Sequence, residues 1–217
     1  MTHQLVLASA SPRRQQFLRE LGLEFTVVVA DIDESPHVNE APACLAARLA
    51  ETKARAVAGR LAAVEETQLV IAADTVVALG ATILGKPAND VEAASMLAQL
   101  RGRMHEVHTA VSVFDTQSGT QSTRLNTTQV AMRPYSNTEL AAYVATGDPL
   151  DKAGAYAIQH PEFAPVAALA GCAAGVIGLP LGDLCDLLRP YGVAPALAVA
   201  AVCQRHTAFR CCRLAAS

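Results

Sequence analysis

Short apolar runs alternate with helical stretches along this chain, a pattern that predicts a sheet with flanking helices. Leu5-Val6-Leu7 is apolar throughout and predicts a buried strand, and residues 25–29 predict a second one. Between them we expect a helix that begins at Pro12, with Ser11 as its N-cap and Gly22 just after its end. The order strand, helix, strand is typical of an α/β protein.

The middle of the chain predicts a long helix and then mostly strands. The alanine-rich stretch 42–61 predicts the helix, and the apolar run 69–73 predicts a strand that stops at Asp74. The other predicted elements are a hairpin of 75–79 and 82–84 around Gly80-Ala81, a helix from about 90 to 102, strands at 107–114 and 123–132 joined by a turn at 118–119, and a helix that starts at the capping box Ser136-Asn137-Thr138-Glu139. This order is neither a regular βαβ alternation nor all-β, so it favours an α/β domain with a mixed sheet.

The composition is that of a folded domain with few charges. Of the 217 residues 17% are charged and 52% are hydrophobic, which favours a large core over disorder. We assign residues 1–190 to one domain and residues 191–217, rich in alanine and cysteine, to a C-terminal appendage whose helical or disordered structure stays open. The net charge of −3 argues against a nucleic-acid binder with a broad basic face.

The spacing of the cysteines and the apolar stretches indicate in which cellular compartment the protein is expected. Six cysteines occur without a Cys-x-x-Cys pair, so we expect free thiols and a cytoplasmic location. Arg13 and Arg14 interrupt the apolar N-terminus, which is unlike a secretory signal. Residues 164–182 carry no charge, but the glycines and prolines among them favour a buried segment over a membrane span.

The turn before the first predicted helix has the chemistry of an anion site. A helix N-terminus presents unpaired N–H groups and a partial positive charge, both of which favour phosphate. Ser9, Arg13 and Arg14 lie in or beside this turn, and arginine can donate two parallel hydrogen bonds to a phosphate. The alternative is an ordinary capped helix whose arginines face solvent.

Two lysines and two carboxylates extend this chemistry. Lys53 lies on the long predicted helix and Lys86 follows the hairpin, so each can add a positive charge. Glu34 and Asp74 lie at the ends of predicted strands, where α/β folds tend to bind ligands, and carboxylates are ligands of Mg²⁺ and Mn²⁺. A solvated surface charge is the alternative for Lys53 and for Glu34. Asp74 lies among apolar residues and therefore needs a partner or a metal.

A third polar segment spans residues 146–159. Its glycines allow a close backbone approach, and it ends in Gln159, whose amide offers the donor and the acceptor that recognition of a nucleobase edge requires. A charged surface turn is the alternative interpretation.

Taken together, these motifs resemble the Maf family of nucleoside triphosphate pyrophosphatases. The resemblance covers about residues 4–188 and implies a mixed central sheet with flanking helices that form two lobes around a cleft, as in the inosine triphosphatase-like folds. It also implies hydrolysis of a nucleoside triphosphate to the monophosphate and pyrophosphate with a divalent cation. The matching stretches are Leu7-Ala8-Ser9-Ala10-Ser11-Pro12-Arg13-Arg14, Ala73-Asp74-Thr75-Val76-Val77, Leu84-Gly85-Lys86-Pro87, Asp148-Pro149-Leu150-Asp151-Lys152-Ala153-Gly154-Ala155-Tyr156 and Gly178-Leu179-Pro180-Leu181.

The resemblance also implies roles for single residues. Asp74 matches the catalytic carboxylate, which activates water or holds the metal, and Glu34 matches an acidic position near the metal. Residues 160–177 depart from the family's pattern. The phosphate-contacting positions are matched by Ser9, Arg13, Arg14, Lys53 and Lys86, and the positions linked to base choice in the dTTP and UTP branch by Arg13, Thr75 and Gln159.

Two other functions stay open for the sequence. One is a nucleotide-binding regulator of cell division, and the other is a pyrophosphatase of the sister branch associated with 7-methyl-GTP. The expected partner is a nucleoside triphosphate, without nucleic acid or membrane, and the resemblance suggests a homodimer.

Overall fold

A mixed sheet forms the centre of the computed structural model, which describes residues 3–61 and 67–214. Its strand order is β2-β1-β3-β5-β6-β7, with the short β4 paired to β3. β1 runs parallel to β2 and β3, whereas β4 and β5 run antiparallel to β3, β6 to β5, and β7 to β6. The strands are β1 (Gln4–Leu7), β2 (Phe25–Val27), β3 (Gln68–Leu79), β4 (Thr82–Leu84), β5 (Met104–Asp115), β6 (Gln121–Met132) and β7 (Val166–Ala170). The predicted mixed α/β class is confirmed.

Helices cover both faces of this sheet. α1 begins at Pro12, with Ser11 as its N-cap, and Gly22 follows its end at φ +72°, as predicted. The capping box of Ser136 and Glu139 at the start of α4 is also confirmed. The helices are α1 (Pro12–Glu20), α2 (Pro42–Leu61), α3 (Asp90–Leu100), α4 (Asn137–Val144), α5 (Ala173–Ile177), α6 (Leu181–Leu188) and α7 (Val199–His206), with short 3₁₀ turns at Asp148–Asp151, Ala153–Ala155, Arg189–Tyr191 and Cys212–Leu214.

Two predicted strand ends are wrong. β3 is continuous from Gln68 to Leu79, so Asp74 lies in mid-strand, opposite Ala110 of β5, and not where a strand stops. A charged residue inside an apolar run looks like a strand end in sequence, but here an ion pair satisfies it within the sheet. β2 ends at Val27, so Glu34 lies in an irregular segment and not at a strand end.

The edge of β3 beside β1 is open over a short length. β1 pairs with β3 only as far as Ile71, and β4 begins to pair at Val77. Among the strands that the structure describes, none covers this edge over residues 73–76. Successive side chains of a strand point to opposite faces, so side chains from both faces of the sheet reach the opening.

The two faces of the sheet carry different helices. α2 packs on one face, where Leu49 and Ala50 contact Val76 and Ala110 in a buried cluster. The larger core on the other face includes Val77 together with residues of α1, α3, α5 and α6. At the open edge, the even-numbered residues of β3 therefore face α2, and the odd-numbered residues face the larger core.

The C-terminal segment after residue 191 packs against this larger core. α7 contributes Val202 and Cys203, and Cys211 follows, all of them buried. The sequence left open whether this segment is helical or disordered, and the structure shows that it is helical in part. Residues 215–217 lie outside the described residues. The boundary between a domain and an appendage at 190 stays a prediction.

The expectation that the uncharged stretch 164–182 is buried is right only for its second half, since residues 172–182 are mostly buried whereas β7 is half-buried or exposed. The stretch forms β7, α5 and the start of α6, and none of the described helices combines the length and hydropathy needed to cross a membrane. All six cysteines are free thiols, as predicted.

Candidate functional site

A cleft of about 590 Å³ opens at the uncovered edge of β3. Loops that follow β1 and β4, the start of α1, one face of α2 and the segment 151–159 surround it. The structure brings every predicted site residue to its lining: Ser9, Arg13, Arg14, Glu34, Lys53, Asp74, Thr75, Lys86 and Gln159.

Lys53 joins the two predicted carboxylates. Its Nζ lies 2.6 Å from Asp74 Oδ1 and 2.9 Å from Glu34 Oε1. Lys53 is only 8% exposed, so the alternative of a solvated surface charge is wrong for it. For Glu34, whose side chain is 59% exposed, the ion pair with Lys53 is the contact that ties it to the cleft.

The burial of Lys53 follows from its place on α2. Leu49, Ala50, Ala54 and Val57 form the apolar stripe of this helix that faces the sheet. Lys53 lies within that stripe, at four residues after Leu49, and not on the solvent face. Helical periodicity in the sequence is the signal that distinguishes this lysine from the arginines of the same helix, of which Arg48 is half-buried and Arg55 and Arg60 are exposed.

The carboxyl of Asp74 has an unusual proton affinity. Its burial raises the pKa above the ordinary value for aspartate, and the positive charges of Lys53 and Arg14 offset only part of this effect. A carboxylate with a raised pKa that is held by a lysine is suited to accept a proton from a reacting water.

Arg14 links the start of α1 to the sheet and to the end of α5. Its Nε donates to the Gly178 carbonyl at 2.8 Å, and its two terminal nitrogens donate to Ser9 Oγ at 3.1 Å and to Thr75 Oγ1 at 3.5 Å. The guanidinium is therefore fixed by the protein on three sides and retains further N–H groups for an anion. The carbonyl of Gly178 as its anchor was not predicted, since a backbone acceptor leaves no mark in the sequence.

Arg13 lies beside the segment 148–155. Its guanidinium is 3.3 Å from Asp151 Oδ2, and Asp151 also accepts from Lys152 Nζ at 2.6 Å. Lys152 donates in addition to the side chain of Asp148 at 2.9 Å. The two acidic groups of this segment are thus neutralised locally, so that they do not oppose an anion in the cleft.

Gly154 brings this segment close to the hairpin. It has φ +71°, and a Cβ there would lie 2.9 Å from Val77 Cγ1. Its N–H donates to the carbonyl of Gly85 at 3.0 Å, next to Lys86. Lys86 is exposed at the cleft, and in the part of the chain that the structure describes no carboxylate pairs with it. Its charge is thus available to an anion.

Gln159 lies half-buried at the far end of the cleft, in a turn that follows Tyr156.

The hydroxyl of Tyr156 lies 2.7 Å from His105 Nε2. Burial lowers the pKa of His105 to about 4, so this histidine is neutral near pH 7 and serves to hold Tyr156. The departure from the family's pattern after Gln159 coincides with an aromatic cluster in which Tyr143 and Phe163 stack at 4.2 Å.

The carboxylates of Glu34 and Asp74 fit a divalent cation that arrives with a phosphate. Both reach the same ammonium group within 2.9 Å, so the two carboxylates are neighbours; Lys53 Nζ occupies the point between these two oxygens, and a cation would use the other oxygens of the pair. Mg²⁺ is commonly bound by one or two carboxylates together with substrate phosphates and water. Within residues 3–61 and 67–214, no three histidine, cysteine or acidic side chains are gathered that could hold a metal without such help.

Known proteins resemble this chain over most of its length. Proteins named dTTP/UTP pyrophosphatase from Pelotomaculum thermopropionicum and from Myxococcus xanthus are 46% and 47% identical to it over 189 residues. These alignments cover 87% of this chain and 97% and 93% of the relatives. A solved HAM1 protein from Coxiella burnetii superimposes with a TM-score of 0.42 at 18% identity, over 62% of this chain and 75% of that one.

A sequence model of the family described as Maf-like protein matches residues 4–191. This range contains β1 through α6 and all of the cleft residues named above. The segment that holds α7 lies beyond it. By this match, the chain belongs to the family of Maf-like proteins.

Proposed function

We propose that this protein hydrolyses dTTP and UTP to the nucleoside monophosphate and pyrophosphate. The observation that carries the proposal is one cleft that holds Asp74 bound to Lys53 together with Arg13, Arg14 and Lys86. The names of relatives that are 46% and 47% identical supply the substrate class. Identity at this level over 87% of this chain supports the transfer of that activity to it.

The positively charged side chains of the cleft can stabilise the charge that develops during the reaction. Cleavage of a phosphoanhydride moves negative charge onto the leaving pyrophosphate, and fixed positive charges stabilise that transition state. Arg13 and Arg14 at the start of α1 and Lys86 after β4 approach from different sides of the cleft. Ser9 fixes Arg14 and presents its hydroxyl beside the N-terminus of α1. These groups form the proposed triphosphate site.

Asp74 is the proposed catalytic carboxylate. Its raised pKa makes it a better proton acceptor than an ordinary aspartate, and Lys53 fixes the direction of one of its oxygens. In this role Asp74 orients a water and takes its proton as the oxygen attacks the phosphorus. Mg²⁺ or Mn²⁺, held by Asp74 and Glu34, would supply further neutralisation of phosphate charge.

Arg13, Thr75 and Gln159 are the proposed contacts to the base and its surroundings. All three line the cleft, and the side chain of Gln159 offers a donor and an acceptor at its far end. A pyrimidine with alternating N–H and C=O groups matches such a set of contacts. The alternative of the 7-methyl-GTP branch requires a purine in the same place.

We further propose a cytoplasmic location and a homodimer. Six free thiols support a reducing compartment. The homodimer follows from the family resemblance alone, and light scattering of the purified chain tests it.

Pyrophosphate release from a panel of nucleotides tests the function. With Mg²⁺ or Mn²⁺ the chain should turn over dTTP and UTP in preference to purine nucleotides and to 7-methyl-GTP. Asp74→Asn should lower kcat by about 10²- to 10⁴-fold, since it removes the proton acceptor. Asp115→Asn is the matched control, because Asp115 is 6% exposed against 7% for Asp74 and lies outside the cleft.

Three results would contradict the proposal. Equal turnover by Asp74→Asn and the parent would remove Asp74 from the reaction. Nucleotide binding without release of pyrophosphate would favour the alternative function of a nucleotide-binding regulator of cell division. A preference for 7-methyl-GTP would favour the sister branch.

A further inference from the structure

Tyr143, in the last turn of α4, lies behind the turn that presents Gln159 to the cleft. Residues 157–160 form this turn, and the N–H of His160 closes it by donating to the Ala157 carbonyl at 3.3 Å. Ala157 and Gln159 line the cleft, whereas Tyr143 is 2% exposed and does not. The N–H of Ala157 donates to the hydroxyl oxygen of Tyr143 at 3.1 Å. A buried hydroxyl outside the cleft therefore holds the first residue of the turn.

The hydroxyl of Tyr143 is itself fixed from its other side. It donates its single proton to Asp148 Oδ2 at 2.7 Å, which leaves its lone pairs free to accept the N–H of Ala157. Burial and the hydrogen bond to Asp148 raise the pKa of Tyr143, so the hydroxyl keeps this proton near pH 7. Lys152 Nζ donates to the second oxygen of Asp148 at 2.9 Å. Partial burial opposes ionisation of Asp148, but the hydrogen bonds from Tyr143 and Lys152 hold its pKa below the ordinary value.

The ring of Tyr143 contacts the other end of the same turn. The ring of His160, the fourth residue of the turn, lies edge-on to it with the centroids 4.8 Å apart. Phe163 stacks on it at 4.2 Å, with the two planes 15° apart. These two rings fix the direction in which the hydroxyl of Tyr143 points. Tyr143 thus contacts both ends of a four-residue turn in which Gln159 is the third residue.

We infer that Tyr143 is a positioning residue for the base end of the cleft, whose hydroxyl holds the turn 157–160 so that Gln159 meets the base of the bound nucleotide. The inference rests on the proposed function, in which Gln159 contacts the base. At the phosphate end, Arg14 is held by Ser9 and by the carbonyl of Gly178 instead. Loss of the Tyr143 hydroxyl should therefore weaken the contacts to the base and spare those to the phosphates.

Binding of UTP compared with that of inorganic tripolyphosphate tests the inference. Tripolyphosphate has the phosphate chain of UTP but neither base nor sugar. Tyr143→Phe keeps the ring but leaves the buried N–H of Ala157 without its acceptor, so the turn should shift. The ratio of the Kd of UTP to the Kd of tripolyphosphate should rise on the order of tenfold, the effect of about one hydrogen bond. Calorimetry with Mg²⁺ in an Asp74→Asn background measures both constants without turnover.

Tyr135→Phe is the matched control. Tyr135 is also buried, at 1% exposure, and its hydroxyl donates to the Leu97 carbonyl at 2.6 Å, outside the cleft. This variant loses a buried hydrogen bond as well, but it should keep the parent ratio. A purely structural role of Tyr143 would weaken both ligands alike and leave the ratio unchanged.

Two results would overturn the inference: an unchanged ratio in folded Tyr143→Phe, or an equal rise in Tyr135→Phe. Asp148→Asn, which replaces the charged acceptor of the Tyr143 hydroxyl by an uncharged one, is the second variant if Tyr143→Phe does not fold. It should raise the ratio in the same direction, and an unchanged ratio would overturn the inference in that case too. Failure of the parent to release pyrophosphate would instead concern the proposed function alone, because the ratio of dissociation constants does not depend on turnover.

Discussion

Replacing Lys53 by methionine is the sharpest test of the electrostatics of the cleft. The change keeps an unbranched side chain of similar length in the apolar stripe of α2 but removes the ammonium that lies 2.6 Å from Asp74 Oδ1. Removal of one partner from a buried ion pair costs about 3–5 kcal/mol, because the other charge stays buried without compensation. The lost contact to Glu34 adds little, since that side chain is 59% exposed.

The pH dependence of this loss has a definite sign. Burial raises the pKa of Asp74 in the folded state, and Lys53 opposes that rise, so its removal raises the pKa further. A carboxyl whose pKa is higher in the folded than in the unfolded state binds protons more tightly when folded, and stability falls as pH rises between the two values. The deficit of Lys53→Met relative to the parent should therefore be larger at pH 8 than at pH 5.

Urea denaturation at both pH values measures the effect, and a double-mutant cycle assigns it. Lys53→Met combined with Asp74→Asn should recover much of the stability lost by Lys53→Met, because the uncompensated charge is gone. Lys86→Met is the matched control: Lys86 lines the same cleft but is exposed, so its loss should change stability by less than about 0.5 kcal/mol. A Lys53→Met protein as stable as the parent at pH 8 would refute the reasoning.

Two further changes test the packing around the cleft and the C-terminal segment. In urea denaturation, Gly154→Ala should destabilise the fold by more than Gly119→Ala. Both glycines have positive φ, which costs about 1–2 kcal/mol for alanine. Only at Gly154 would the new Cβ also meet Val77, at 2.9 Å. Equal losses would show that Val77 moves aside. Val202→Ala should lower stability by about 2 kcal/mol through lost burial, whereas Val38→Ala, at a residue that is 92% exposed, should have no measurable effect. No difference between these two would mean that α7 is not docked in solution.

The starts of α1 and α4 were predictable because each had a local cause, whereas β7, α5 and α6 were not predicted. Ser11 and Pro12 define the start of α1, and the capping box at Ser136 defines that of α4. The length of β3 was not predictable from the run itself, since a charged residue at position 74 resembles a strand end. Only the partner supplied by α2 explains how Asp74 is accommodated in mid-strand.

The members of the cleft were predictable from motifs, but their mutual contacts were not. The burial of Lys53 could have been found from the period of the apolar residues on α2. The hydrogen bond from the buried Thr109 of β5 to Thr75, 3.1 Å long, could not, because it depends on the register of β3 and β5. Contacts of this kind arise from tertiary packing and have no local pattern.

The open edge of β3 explains how one strand serves two tasks. Asp74 and Thr75 are neighbours, so their side chains point to opposite faces of the sheet, and yet both line the cleft. Asp74 faces α2, where Lys53 and Glu34 form the proposed reaction side. Thr75 faces α5, where Arg14 and Thr109 fix its orientation. A continuously paired edge would separate these two groups by the thickness of the sheet. The end of β1 at Leu7 and the end of β4 at Leu84, opposite Val77, are therefore as necessary to the site as the side chains themselves.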